Sequence, residues 1–82
     1  MTVELESLAG GDSLTQEHGA DSVVAVIRGR LRLTMERAPT PVWLRASDAV
    51  AIPAGIAYTL DAMQDTDLMV YPECGERALW GV

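Results

Sequence analysis

Few side chains in this sequence can do chemistry. The chain of 82 residues has one histidine, His18, one cysteine, Cys74, two tyrosines and no lysine. Without lysine, Schiff-base chemistry of the aldolase or pyridoxal kind is excluded. A histidine is suited to general acid or base work near neutrality, so His18 is the first candidate, with Tyr58 a matching proton donor. Cys74 sits in Pro72-Glu73-Cys74-Gly75 with no histidine or lysine beside it to depress the thiol, and it reads as a bystander.

The elements that must hold these residues read as strands. Residues 2–8 alternate, with Val3 and Leu5 against Glu4 and Glu6, and residues 30–36 set Leu31, Leu33 and Met35 against Arg30, Arg32, Thr34 and Glu36. Both are half-buried strand patterns. The run Val23-Val24-Ala25-Val26-Ile27 is apolar on both faces and β-branched, which fits a central strand. Gly29 closes a tight hairpin between Arg28 and Arg30, because glycine accepts positive φ without steric cost. Pro39 and Pro41 break the ladder into a loop. Strands follow at 42–45, 49–52, 56–63 and 67–71, with a turn at Ala46-Ser47-Asp48, a Pro53-Ala54-Gly55 corner and a short tail at 78–82 that adds an edge strand. Seven or eight short strands without an amphipathic helix predict an all-β sandwich or barrel, and residues 1–82 make a single domain.

Two stretches resemble the paired motifs of the cupin superfamily, G-x5-H-x-H-x3,4-E-x6-G and G-x5-P-x-G-x2-H-x3-N. The first fits from Gly10 to Gly29, with Gln16 and His18 at the histidine positions and Ser22 at the glutamate. The second runs from Ser47, where glycine is expected, through Pro53 and Gly55 to Tyr58 at the histidine, and ends on Ala62 in place of asparagine. The turn residues are kept and the ligands are not. The resemblance implies a small cupin-type jelly-roll β-barrel of seven or eight short antiparallel strands, with its site at the open mouth.

On that alignment Gln16, His18, Ser22 and Tyr58 converge inside the barrel, and alternation sends Val24, Val26 and Leu60 inward beside them. The result is an apolar pocket with a few polar groups, the usual form of a small-molecule site. Trp43, Met69 and Tyr71 are further lining candidates. A divalent transition metal at His18 and Gln16 is disfavoured, because one imidazole, an amide, a hydroxyl and a phenol are a poor donor set. His18 and Tyr58 as a metal-free acid–base pair are the sharper alternative. Against both stands the plain reading that these groups satisfy one another in a polar core. Arg28, Arg30 and Arg32 form a stripe able to grip a carboxylate or phosphate, although a solvated face paired with Glu36 and other acids is the commoner arrangement. Trp43 and Trp80 read as core or interface anchors.

Composition bounds the partners. The net charge of −6 argues against nucleic acid, and no stretch approaches a membrane span. The acidic N-terminus is unlike a signal peptide, so a cytoplasmic location is expected. A chain of this size buries only about 60–65% of its unfolded surface. With 49% apolar residues and no second cysteine, a homodimer is expected to supply the missing stabilisation. The leading expectation is a protein that binds a small polar or carboxylate-bearing molecule in the barrel, in the range of metal-independent isomerases, epimerases, cyclases and lyases. The alternatives are a metal-dependent dioxygenase or isomerase with an atypical ligand set, and a non-catalytic dimerising sensor or structural module.

Overall fold

The computed structural model describes residues 3–38 and 40–72. Within them the chain forms eight strands: β1 Glu4–Leu8, β2 Ser13–Gln16, β3 Ser22–Arg28, β4 Arg30–Met35, β5 Val42–Arg45, β6 Ala49–Ile52, β7 Tyr58–Ala62 and β8 Thr66–Pro72. They build two four-stranded sheets, ordered β1-β8-β3-β6 and β2-β7-β4-β5, and every pairing is antiparallel. This is the jelly-roll arrangement. The described residues contain no helix long and apolar enough to cross a membrane. The tail at 78–82, with Cys74 and Trp80, lies outside the described residues.

Alternation decides what faces inward. Val24 and Val26 on β3, Leu68 and Val70 on β8, and Ile52 on β6 pack from one sheet against Leu31 and Leu33 on β4, Leu44 on β5, and Tyr58 and Leu60 on β7 from the other. Burying each such side chain contributes about 1.5–3 kcal/mol, and the two inner faces together make the whole core.

Two strands depart from the sequence reading. The four residues of β2 carry only one apolar side chain, Leu14, so periodicity gave no strand there. Register with β7 puts Leu14 opposite Leu60 and Gln16 opposite Tyr58, both on the inner face. On β1 the alternation is real but its sense is reversed. Glu4 pairs with Val70 and Glu6 with Leu68, both buried, and direct partners share a face, so the two carboxylates belong to the inner side. Val3 and Leu5 face outward, with Leu5 72% exposed. As β1 is an edge strand, its inward charges reach solvent past the open edge, and such charges deter edge-to-edge pairing.

The end of the barrel opposite Tyr58 is closed by backbone geometry. Gly29 has a φ of 100°, and a Cβ there would sit 2.6 Å from Thr66 Oγ1 and 2.7 Å from Thr66 Cα. The buried Thr66 hydroxyl accepts from the Arg30 N–H at 3.1 Å and lies 2.8 Å from the Gln64 carbonyl and 3.0 Å from that of Arg30. The hairpin is thereby locked to β8. The turn at Ser47 is held by its N–H on the Val26 carbonyl, at 3.0 Å, and by the Asp48 carboxylate on the Arg45 N–H, at 3.1 Å. Ser47 itself has a φ of 80°, which explains why the motif expects glycine there.

Urea denaturation should therefore separate these two turns. Ser47→Gly should raise stability by about 0.5–1 kcal/mol, as left-handed strain is relieved at some entropic cost. Gly29→Ala should lower it by at least about 2 kcal/mol. Equal small losses for both would contradict the strain assigned here.

Candidate functional site

His18 is placed by a loop, and the loop by a corner. The segment between β2 and β3 is pinned where Gly55, with a φ of 78°, donates its N–H to the His18 carbonyl at 2.9 Å. One residue earlier the Ala54 N–H reaches Asp21 Oδ1, also at 2.9 Å. The Pro53-Ala54-Gly55 corner thus does more than turn the chain, since it positions the imidazole. Asp21, which the sequence left beside the motif, is a supporting residue of that loop.

The imidazole lies against Tyr58. His18 Nε2 is 2.6 Å from the Tyr58 hydroxyl, and the two ring centroids are 5.6 Å apart. The same hydroxyl donates to Gln16 Oε1 at 3.0 Å. A phenol has one proton to give, so with that proton on Gln16 the contact from His18 must be an Nε2–H donating to the phenolic oxygen. In a neutral imidazole this leaves Nδ1 as the basic nitrogen. Among the described residues Nδ1 has no hydrogen-bond partner.

Tyr58 is buried to 1% exposure, whereas Gln16 and His18 are half-buried, so solvent meets the site through them. Burial first, and then the Glu4 and Glu6 carboxylates, push the Tyr58 hydroxyl from its ordinary value of 10.0 to about 12. The inward-facing acids of β1 are therefore part of the site's electrostatics. Sequence reading missed them because alternation with Val3 and Leu5 pointed them the other way. A recess of about 430 Å³ lies at this end of the barrel, lined in part by Met35, Glu36, Ala57 and Tyr58, and neither His18 nor Gln16 lines it.

The remaining sequence candidates fall elsewhere. Ser22 is buried at the same end of the barrel, but its hydroxyl donates to the Ala20 carbonyl at 3.0 Å and does not join the His18–Tyr58–Gln16 chain. Val24, Val26 and Leu60 face inward and are fully packed in the core beneath Tyr58. Trp43 is 58% exposed on the outer side of β5. Met69 and Tyr71 pair with Ala25 and Val23 on the outer side of β8. None of these three lines the barrel.

The described residues at this end of the barrel are a poor donor set for a transition metal. Gln16 Oε1 and His18 Nε2 are both engaged with the Tyr58 hydroxyl, the phenol is held protonated, and Ser22 is turned to a carbonyl. Among the described residues no three histidine, cysteine or carboxylate groups come together as a ligand set.

Solved structures of other proteins share this architecture. A cupin superfamily protein from Desulfitobacterium hafniense superposes with a TM-score of 0.76 at 19% identity, over 83% of this chain and 62% of that one. A cupin-2 domain protein from Shewanella frigidimarina gives 0.69 at 23% identity, over 87% and 69%. A DUF1255 protein of unknown function from Acinetobacter gives 0.79 at 17% identity, over 87% and 69%. The chain thus spans about three fifths of the length of the first. No protein-family model and no curated protein matches the sequence. The chain has a cupin fold.

The Tyr58 shift has a measurable consequence. The folded state keeps this proton to a higher pH than the unfolded chain does, so the folded state is favoured below pH 10 and the advantage is lost as pH rises from 10 toward 12. Phenolate absorbance, read as the difference between the native protein and Tyr58→Phe, should titrate near 12. Tyr58→Phe should also flatten the loss of stability in that window. A Tyr58 midpoint at the ordinary tyrosine value would overturn the described burial and acidic surroundings.

Proposed function

We propose that the protein binds a compact polar molecule at the Tyr58 end of the barrel, and that His18 and Tyr58 move a proton on it without a metal. The observation that carries this reading is the 2.6 Å contact of a half-buried imidazole with a fully buried phenol that is held protonated. Neither group is needed in this form for packing, since phenylalanine and an aliphatic residue would fill the same space with no polar atoms to satisfy. Proton transfer is the step shared by metal-independent isomerases, epimerases, cyclases and lyases. Glu4 and Glu6 sharpen the ligand class. Their negative potential at the phenol works against a carboxylate and favours a neutral or cationic molecule that offers Tyr58 an acceptor.

Thermal-shift screening of neutral sugars, amides and small amines against small acids tests this, because a ligand of the folded state raises the melting temperature. Hits among the former should weaken about tenfold in Tyr58→Phe and in His18→Ala, the scale of one hydrogen bond in a partly desolvated site. Stoichiometric metal, retained after purification from supplemented medium and lost in His18→Ala, would overturn the metal-free reading. Hits confined to acids would overturn the ligand class.

The protein does this as a homodimer. On the outer face of the first sheet, one cross-strand row runs Leu5, Met69, Ala25, Ala49 and the next Tyr71, Val23, Ala51. Neither row holds a charge, on a chain whose net charge is −6. Two acidic copies can approach on such a face without desolvating ions, and sheets stack face to face at about 10 Å. A stable interface takes about 800 Å² per partner, against a total surface of 5110 Å². Light scattering should show a dimer at micromolar concentration, and Leu5→Arg should give a folded monomer. A monomeric native protein would remove this part of the proposal.

A further inference from the structure

A second candidate site lies at the opposite end of the barrel, on the outer face of the second sheet. There Arg30 on β4 is the direct cross-strand partner of Arg45 on β5, and Arg32 is that of Trp43. Like charges directly opposite in a sheet repel, and Cα atoms in such pairs are only about 4.5–5.5 Å apart. The other arginines in this region are neutralised. Arg28 is 3.0 Å from Asp67 and Arg32 is 3.2 Å from Asp61, so the acids that balance the stripe are these two and not Glu36. Among the described residues neither Arg30 nor Arg45 has a carboxylate within ion-pair distance. Asp48 lines the same recess, its carboxylate held by the Arg45 backbone N–H and paired with neither guanidinium, so its one charge offsets only part of the two. An acidic chain with six cationic residues in all therefore gathers four of them here, two ion-paired and two facing each other without an ion pair of their own.

The indole supplies the other half of the site. Trp43 is the largest side chain among the exposed apolar residues, and the Arg32 guanidinium lies 5.9 Å from its ring centroid. Arg32 is itself held by Asp61, and its Nε is buried with no partner. The ring is thus steadied from one side and remains largely open. Arg30, Trp43, Leu44, Arg45 and Asp48 surround a surface recess of about 580 Å³. An open ring beside two guanidiniums that form no ion pair suits a ligand that is flat at one end and anionic at the other.

We infer that this recess binds a small aromatic anion, its ring stacked on Trp43 and its phosphate or carboxylate bridging Arg30 and Arg45. The site is independent of His18. Arg30 starts β4, while Met35, the partner of Tyr58, ends it. An anion between the two guanidiniums removes the cross-strand repulsion, so binding also stabilises the fold.

Titration of the full chain carrying Trp80→Phe, followed by Trp43 fluorescence and calorimetry at low salt, tests the assignment. The probes are phenyl phosphate and benzoate, with benzamide as the uncharged ring and inorganic phosphate as the anion without a ring. Phenyl phosphate or benzoate should bind saturably, and the tighter of the two identifies the anionic group. Arg30→Gln and Arg45→Gln should each weaken that binding about tenfold, the scale of a charge-assisted hydrogen bond. Trp43→Ala should weaken it similarly while leaving inorganic phosphate unchanged, and His18→Ala should change nothing. Arg30, Trp43 and Arg45 are exposed, so these three substitutions disturb no packed core, and circular dichroism checks the fold of every variant. The inference is overturned by no saturable binding of either aryl anion, by benzamide or inorganic phosphate binding as well as the aryl anions, or by retention of affinity in both arginine variants.

Discussion

Tyr58 has its ring in the apolar core and its hydroxyl at the core's edge, and that one group constrains much of the molecule. A buried hydroxyl without partners costs about 1–3 kcal/mol, so the strands and loops around it must deliver them. Gln16 comes from the adjacent edge strand, opposite Tyr58 in register. His18 comes from a loop that two backbone hydrogen bonds fasten to the Pro53–Gly55 corner. The same corner leads straight into β7. The turn that aims Tyr58 and the turn that holds His18 are therefore one element, and the phenol–imidazole contact follows from it.

Charge is distributed as unevenly as polarity. At the Tyr58 end the inner face of β1 presents Glu4 and Glu6, which with burial keep the phenol protonated. At the other end the outer face of the second sheet gathers Arg30, Arg32 and Arg45 around Trp43. The outer face of the first sheet carries two uncharged rows. Among the described residues the inner faces are filled by the side chains of the core, and the recesses lie at the end of the barrel and on its outer surfaces.

The share of this that could be read from residue order alone varied by element. Turns were legible because their demands are local: Gly29 and Gly55 have positive φ, and Ser47 adopts the same kind of conformation where the motif expects glycine. The central strand β3 was legible because an apolar, β-branched run of this length has few alternatives, although the structure leaves Ile27 at its end 51% exposed. Strand β2 was not, since Gln16 is polar for the sake of Tyr58 and a single leucine makes no period. The facing of β1 was misleading, as Val3 and Leu5 belong to the outer side of an edge strand. Trp43, Met69 and Tyr71 were open to either face, and the structure turns all three outward.

The sequence by itself determined the strands other than β2, the turns, and the spacing that brings Gln16, His18 and Tyr58 to one end of a jelly roll. These depend on covalent order and on backbone preferences that act over a few residues. Which side of each strand is inside, how the two arginines come to face each other, and where the glutamates of β1 direct their field were decided only by tertiary structure. Those outcomes depend on pairing register between strands as far apart in sequence as β1 and β8, and a shift of one residue would send each side chain to the opposite face.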